Sequence, residues 1–254
     1  MLKTSLLEVN EIFGPTIQGE GKLVGNPSIF IRFGKCNFKC EGFAVEYETP
    51  SGIKKCSCDS YYAVDPAFKD QWHQMSADTI IQEVKKLEPT YKTDIVITGG
   101  EPLLYWKHQE FQQLLKYYVN NGYKVTIETN ASLTIDFEHK YQKSILFSMS
   151  VKLSNSLEPL KKRINEITLK RILKHTQDSY LKFVVSNDFI TQAKEEIKVI
   201  AQLVPTAQIY LMPMGDSAQE IREHCQSVIA MAIECGYKYC DRLHIRVWDN
   251  QRGV

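Results

Sequence analysis

The sequence predicts an α/β fold, a partial or modified (β/α) barrel built as a single domain over residues 1–254. Three observations lead there. Short β-branched runs alternate with longer stretches of helical period, the pattern of βα units around a parallel sheet. No repeat, low-complexity tract or Pro/Ser-rich linker divides the chain. A length of 254 residues suits one α/β barrel and is short for two domains. A doubly wound open sheet is the alternative that the same alternation allows.

Strands are expected at 28–33 (SIFIRF), 94–98 (DIVIT), 123–129 (YKVTIET), 145–151 (ILFSMSV), 179–185 (SYLKFVV) and 207–213 (AQIYLMP). Residues 6–13 and 243–247 are candidates for one further strand at each end. Ser76 is placed to cap a helix carrying Ile80, Ile81, Val84 and Leu87, which Pro89 stops. Phe111, Leu114, Leu115, Tyr118 and Val119 form an apolar stripe that ends at Gly122. Further helices are expected over 157–175, 189–203 and 217–236. The stretch 131–142 is too short and irregular for one, so the barrel is expected to be incomplete or open there.

Composition narrows the class. A chain 43% hydrophobic, 24% charged and 11% aromatic carries enough apolar surface for a sizeable core. Thirty-one basic residues against 30 acidic leave a formal charge of +1, which argues against a broad nucleic-acid surface. No run approaches the roughly 20 apolar residues of a membrane span, and the start lacks the apolar region of a signal peptide. The expectation is a soluble cytoplasmic protein with no membrane or direct nucleic-acid partner.

Seven cysteines are the unusual feature, and Cys36, Cys40, Cys56 and Cys58 fall within 23 positions directly after a predicted strand. In a reducing compartment such a cluster points to metal or redox chemistry before disulfides. Lys, Asn, Glu and Ser surround these thiols, unlike the apolar setting of packing cysteines. Cys36 and Cys40 fit one zinc pair, whereas Cys56 and Cys58, one residue apart, make a strained second pair. Spacing alone leaves zinc and iron–sulfur both open. Cys225 and Cys235 recur at helical spacing with Ile221, Val228 and Ala232 and are expected to face the core, with Cys240 in the loop that follows.

Other polar groups close the predicted strands. Thr98-Gly99-Gly100-Glu101-Pro102 follows one, and its two glycines let backbone approach a ligand or serve an ordinary turn. Glu128, Ser150 with Lys152, and Leu211 through Gly215 close others, so that they would line a common mouth.

With these motifs in place the chain resembles the radical S-adenosylmethionine superfamily. Its three-cysteine loop follows the first barrel strand and holds a [4Fe–4S] cluster with one iron left open. The usual spacing is three residues, then two. Cys36-Asn37-Phe38-Lys39-Cys40 supplies the first interval and Cys58-Asp59-Ser60 matches the end, but seventeen residues stand where two are usual. The resemblance therefore implies Cys36, Cys40 and Cys58 as cluster ligands around an insertion at about 41–57, with Cys56 an alternative to Cys40 or Cys58. It implies that Gly99, Gly100 and Glu101 meet the amino group of S-adenosylmethionine, and that Ser150 and Lys152 meet its ribose and carboxylate.

The segment Glu11 through Gly21 (EIFGPTIQGEG), then Pro27 through Arg32, then Arg242-Leu243-His244-Ile245 with Trp248, is similar to the 7-carboxy-7-deazaguanine synthase family of queuosine and deazapurine biosynthesis. That resemblance implies a carbon–nitrogen lyase that converts 6-carboxy-5,6,7,8-tetrahydropterin to 7-carboxy-7-deazaguanine. A radical derived from S-adenosylmethionine takes hydrogen from C6, the ring contracts and ammonia leaves. Gln18, Glu20, Glu128 and His244 would orient the pterin and Arg32 its carboxylate. Ser60 stands where the family commonly has threonine, whose hydroxyl meets Mg2+. A reductant such as flavodoxin or ferredoxin and a homodimer are also implied. Two alternatives stand: another enzyme of the superfamily, such as a glycyl-radical activase, and a non-catalytic zinc-binding module.

Overall fold

The strand pattern of the sequence folds into one sheet, and the computed structural model describes it over residues 6–254. The chain opens with β1 (Leu7–Ile17) and β2 (Pro27–Phe33), then a small hairpin of β3 (Val45–Glu48) and β4 (Lys54–Ser57). After α1 (Tyr61–Val64) and β5 (His73–Met75) come α2 (Ala77–Leu87), β6 (Asp94–Gly99), α3 (Gln109–Asn120), β7 (Val125–Thr129) and β8 (Leu146–Ser150). The second half runs through α4 (Leu160–Arg163), α5 (Glu166–His175), β9 (Tyr180–Val185), α6 (Ile190–Leu203), β10 (Gln208–Pro213), α7 (Ala218–Cys235), β11 (Lys238–Tyr239) and α8 (Leu243–Trp248).

Among the described residues the main sheet has nine strands in the order β11-β10-β9-β8-β7-β6-β2-β1-β5. From β2 to β11 every pairing is parallel and the spatial order follows the chain, while β1 runs antiparallel to both β2 and β5. A doubly wound sheet reverses its order at a switch point. This one does not, and its terminal strands β5 and β11 do not pair, so the architecture is a barrel left open.

Alternation along the strands gives the sheet two chemically different faces. Ile29, Ile31 and Phe33 of β2, Ile95 and Ile97 of β6, Val125 and Ile127 of β7, Phe147 and Met149 of β8 and Leu181 and Phe183 of β9 share one core with the helices. The helices bring Ile80 and Val84 from α2, Phe111 and Leu115 from α3, Leu169 and Ile172 from α5, Ile197 from α6 and Val228 from α7. The alternate positions, Ser28 and Arg32, Thr98, Thr126 and Glu128, Ser148 and Ser150, Tyr180 and Lys182, occupy the opposite, concave face. Helices cover one side, and chemistry is left to the other.

Helix ends follow local rules. The Ser76 side chain accepts from Thr79 N and caps α2. Ser217 does the same for α7 through Glu220 N, and Gly236 closes that helix in the left-handed conformation. The expected helix over 157–175 is broken in two, because Asn165 turns its side chain to accept from Thr168 N and starts α5 afresh. The candidate strand at 243–247 is instead α8: Leu243 N donates to Gly19 O at 2.8 Å, which carries this segment over the concave face and away from the sheet. The candidate strand at 6–13 forms as β1. Residues 131–142 carry no helix beyond the start of a single 3-10 turn over Lys140–Ser144.

Phe147 is fully buried between Trp106 and Phe137, each ring 5.9 Å away. Phe147→Ala is expected to cost about 3–5 kcal/mol in chemical denaturation, through lost transfer energy and the cavity left behind.

Candidate active site

The thiol loop is bolted to the sheet by backbone. Beyond the end of β2, Gly100 N donates to Phe33 O at 3.1 Å and Glu101 N to Lys35 O at 2.8 Å. A Cβ on Gly100 would stand 2.0 Å from Lys35 O, so only glycine lets the loop lie this close. The Glu101 carboxylate is 0% exposed and accepts from Leu103 N (3.0 Å), Thr129 Oγ1 (2.6 Å) and Asn130 N (2.8 Å). Desolvation outweighs these donors and lifts its titration above the ordinary carboxylate range. Asn130 Nδ2 in turn donates to Asn37 Oδ1 at 3.0 Å, tying the loop between Cys36 and Cys40 to the end of β7. In this arrangement Glu101 is a buried brace.

The far side of the loop rests on Glu158, whose Oε1 accepts from Lys39 N (2.6 Å) and Cys40 N (3.2 Å). The insertion at 41–57 is a 3-10 turn followed by the β3–β4 hairpin. Tyr47 on that hairpin stacks on Tyr61 at 4.2 Å, and its hydroxyl donates to Asp65 at 2.7 Å. Cys40 is buried, Cys36 and Cys58 are half-buried, and Cys56 is exposed on β4 opposite Glu46. A cavity of about 760 Å3 outside the loop is lined by Cys36, Phe38, Tyr47, Cys56 and Leu157 among others.

Burial pushes the Cys36 and Cys58 thiols well up and Cys40 to about 12, and Cys58 charge adds to the shift of both others. Lys152 offsets part of it at Cys40 and Cys58. Its ammonium donates to Ser150 Oγ at 2.9 Å and lies 5.6 Å over the Phe43 ring. Three thiols with a cation beside them suit an iron–sulfur cluster, which takes one thiolate on each of several irons and offsets their charge. Among the described residues no three His, Cys, Asp or Glu side chains converge to hold a single metal ion, as a tetrahedral zinc site would need.

A second constellation fills the concave face beside the loop. Gln18 Nε2 donates to Glu128 Oε1 at 3.2 Å, and Thr98 Oγ1 to Glu128 Oε2 at 2.8 Å. Glu20 pairs through Oε2 with the Lys182 ammonium and through Oε1 with Arg242 Nε at 2.9 Å. His244 Nε2 is 4.0 Å from the same oxygen. Gly19 makes this approach possible, since a Cβ there would stand 1.9 Å from His244 Nδ1. Desolvation opposes the Glu20 charge, but Lys182 and Arg242 prevail and hold the carboxyl far below its usual range. Desolvation also lowers His244 against the pull of Glu20, leaving a neutral imidazole at neutral pH.

Arg32 lies between the Phe13 and Tyr62 rings, donates from Nε to Glu11 Oε1 at 2.6 Å and from Nη1 to Ser60 Oγ at 3.4 Å. Ser60 Oγ also donates to Asp59 Oδ1 at 3.3 Å, giving two hard oxygens next to Cys58. The positions singled out from sequence thus fall into two neighbouring groups, the thiols with Gly99, Gly100, Glu101, Ser150 and Lys152, and the row of Gln18, Glu20, Arg32, Glu128 and His244. Sequence reasoning gave no role to Lys182, although a lysine inside the apolar run YLKFVV is a signal. It also passed over Arg242 as a site residue. Cys240 is buried as expected of a packing thiol, but beside Tyr180, Tyr210 and Met212 on the concave face. Cys235 is half-buried and packs on the main core, and Cys225 is half-buried as well, its thiol donating to Arg222 O at 3.4 Å.

Residues 31–228 match the Radical SAM superfamily, and the chain belongs to it. That span begins on β2 and ends in α7, so it takes in the thiol loop and every parallel strand except the short β11. Over 96% of its length the chain is 32% identical to the 7-carboxy-7-deazaguanine synthase of Halobacterium salinarum and covers 91% of that protein. It is 31% identical over 98% of its length to the 7-carboxy-7-deazaguanine synthase of Rhodopirellula baltica, covering 90% of it. Within the superfamily the chain is a member of the 7-carboxy-7-deazaguanine synthase family. The crystal structure of QueE from Escherichia coli shares the fold, with a TM-score of 0.61 at 20% identity over 94% of this chain and 95% of that one.

The loop geometry separates the four thiols. Cys56→Ala is expected to retain the iron and sulfide content of the parent after anaerobic reconstitution, whereas Cys40→Ala loses the cluster absorbance. Gly100→Ala is expected to lower iron content at least severalfold, since the added methyl displaces the Lys35 carbonyl.

Proposed function

We propose that this chain converts 6-carboxy-5,6,7,8-tetrahydropterin to 7-carboxy-7-deazaguanine with loss of ammonia. The observation that carries this reading is the row of Gln18, Glu20 and Glu128 on the concave face, next to the thiol loop. A pterin edge presents an amino group, a ring N–H and a carbonyl, and paired carboxylates with an amide complement it. Glu128 holds two donors in a carboxylate with about four acceptor sites, so capacity remains for substrate N–H groups. Neutral His244 can both give and accept a hydrogen bond there.

Cys36, Cys40 and Cys58 are the thiolates for a [4Fe–4S] cluster, with Cys56 outside the set. Gly99, Gly100, Glu101, Ser150 and Lys152 face S-adenosylmethionine, and Glu101 also braces the loop that brings them together. When bound, cluster and S-adenosylmethionine supply one electron and a hydrogen-abstracting radical. The protein's part is to fix the pterin so that C6 alone is exposed to that chemistry. Arg32, ordered by Glu11 and two rings, receives the substrate carboxylate. Ser60, with Asp59 beside it, offers hard oxygens for Mg2+.

An external donor such as flavodoxin or ferredoxin, a homodimer and a cytoplasmic setting belong to the same proposal. No helix among the described residues is long and apolar enough to cross a membrane. A glycyl-radical activase would have to admit a polypeptide where Glu20, Lys182 and Arg242 are already in tight contact, which favours a small polar substrate.

Anaerobic, cluster-loaded protein supplied with the tetrahydropterin, S-adenosylmethionine, Mg2+ and reductant is expected to release 7-carboxy-7-deazaguanine. Glu128→Gln should raise KM for the pterin about tenfold or more, the scale of one lost hydrogen bond to a charged group. Absence of the deazaguanine from cluster-replete protein would overturn the assignment.

A further inference from the structure

We propose that Arg242 is a positioning residue that couples the substrate-facing turn around Glu20 to the cluster-binding loop. All three guanidinium nitrogens are committed. Nε donates to Glu20 Oε1 at 2.9 Å, Nη2 to Asp59 Oδ2 at 2.6 Å and Nη1 to Gly215 O at 2.5 Å. Its partners lie 222, 183 and 27 positions away in sequence. One side chain therefore ties the N-terminal turn, the residue between Cys58 and Ser60, and the segment after β10.

The contacts continue on both sides. Glu20 passes to Lys182 on β9, while Asp59 passes through Ser60 Oγ to Arg32 and on to Glu11. Every group proposed to orient the pterin carboxylate or Mg2+ lies on this chain, and Arg242 is its one bridge between Glu20 and Asp59 among the described residues. The planar fork is what permits it. A lysine at this position presents a single point charge and cannot reach three diverging oxygens with fixed geometry. The Arg242 and Glu20 side chains are 12% and 13% exposed, so solvent does little to screen that pair, while Asp59 is 39% exposed.

The inference rests on the pterin reading for its kinetic arm alone. Binding of substrate at Glu20 is felt at Asp59, and order in the cluster loop is felt at Glu20. The test compares parent, Arg242→Gln, Arg242→Lys, Asp59→Asn and the double variant Arg242→Gln/Asp59→Asn as cluster-loaded enzymes. Without substrate, hydrogen exchange should quicken severalfold in Arg242→Gln both at 16–21 and at 57–62, with iron content unchanged. With substrate, KM for the pterin should rise about tenfold or more in Arg242→Gln and in Asp59→Asn, with no further rise in the double variant and an intermediate value in Arg242→Lys. The KM for S-adenosylmethionine should hold. Exchange that quickens at only one of the two segments, or KM effects that multiply in the double variant, would overturn the coupling. If the parent makes no deazaguanine the pterin reading fails, and the exchange arm still decides the role of Arg242.

Discussion

The structure depends on a sheet that buries its main apolar core on one face and carries most of its polar groups on the other, where apolar packing is limited to a small cluster of Tyr180, Tyr210, Met212 and Cys240. Parallel strands usually read as continuous apolar runs because helices cover both sides. Here all the crossovers return on one side, and Ile31, Ile97, Ile127, Phe147 and Phe183 take up the core there. The other face is free to carry Arg32, Thr98, Glu128, Ser150 and Lys182. Each of these is fixed by a strand backbone instead of a loop, which sets their spacing to the strand separation of about 4.8 Å. A polar lining at that spacing suits a flat heterocycle with several hydrogen-bonding edges.

On that frame the thiol loop is held chiefly by backbone and amide contacts, with Phe38 N donating to the Cys36 sulfur at 3.3 Å. Gly100 and Glu101 bind the loop through backbone groups, Asn37 is tied to Asn130, and Glu158 gathers the Lys39 and Cys40 amides. The hairpin inserted before Cys58 is anchored separately by Tyr47 on Tyr61 and by Asp65. It thus lengthens the loop as a separate two-stranded unit that does not join the main sheet. The same anchoring leaves Cys56 exposed on β4, which fits the proposal that it is the thiol outside the cluster set.

Much of this was legible in the residues. The six strands from SIFIRF to AQIYLMP lie where β-branched runs predict them, and the cysteine segment falls at a strand end as expected. What was not legible depends on distant partners. Leu243, Ile245 and Val247 alternate as a strand would, yet a hydrogen bond to Gly19 makes the segment a helix. Arg242 has no local pattern that marks it, since its carboxylates are 222 and 183 positions away. Glu101 reads as a ligand contact at a glycine-rich strand end, and its second role, a brace that accepts from Leu103, Thr129 and Asn130, depends on partners the local pattern does not show. Cys58-Asp59-Ser60 matches the end of the cysteine motif and favours Cys58 from sequence, but the hairpin that exposes Cys56 has no comparable local signal.

The central claim is that three thiolates hold a four-iron cluster and leave one iron open beside the polar face. An anaerobic crystal structure of the reconstituted protein, with iron located by anomalous scattering, tests it most directly. The account predicts four irons in one cluster, the sulfurs of Cys36, Cys40 and Cys58 each on a different iron, and the fourth iron without a protein sulfur. Density joining Cys56 to an iron, or a single metal ion shared by several of the thiols, would contradict it.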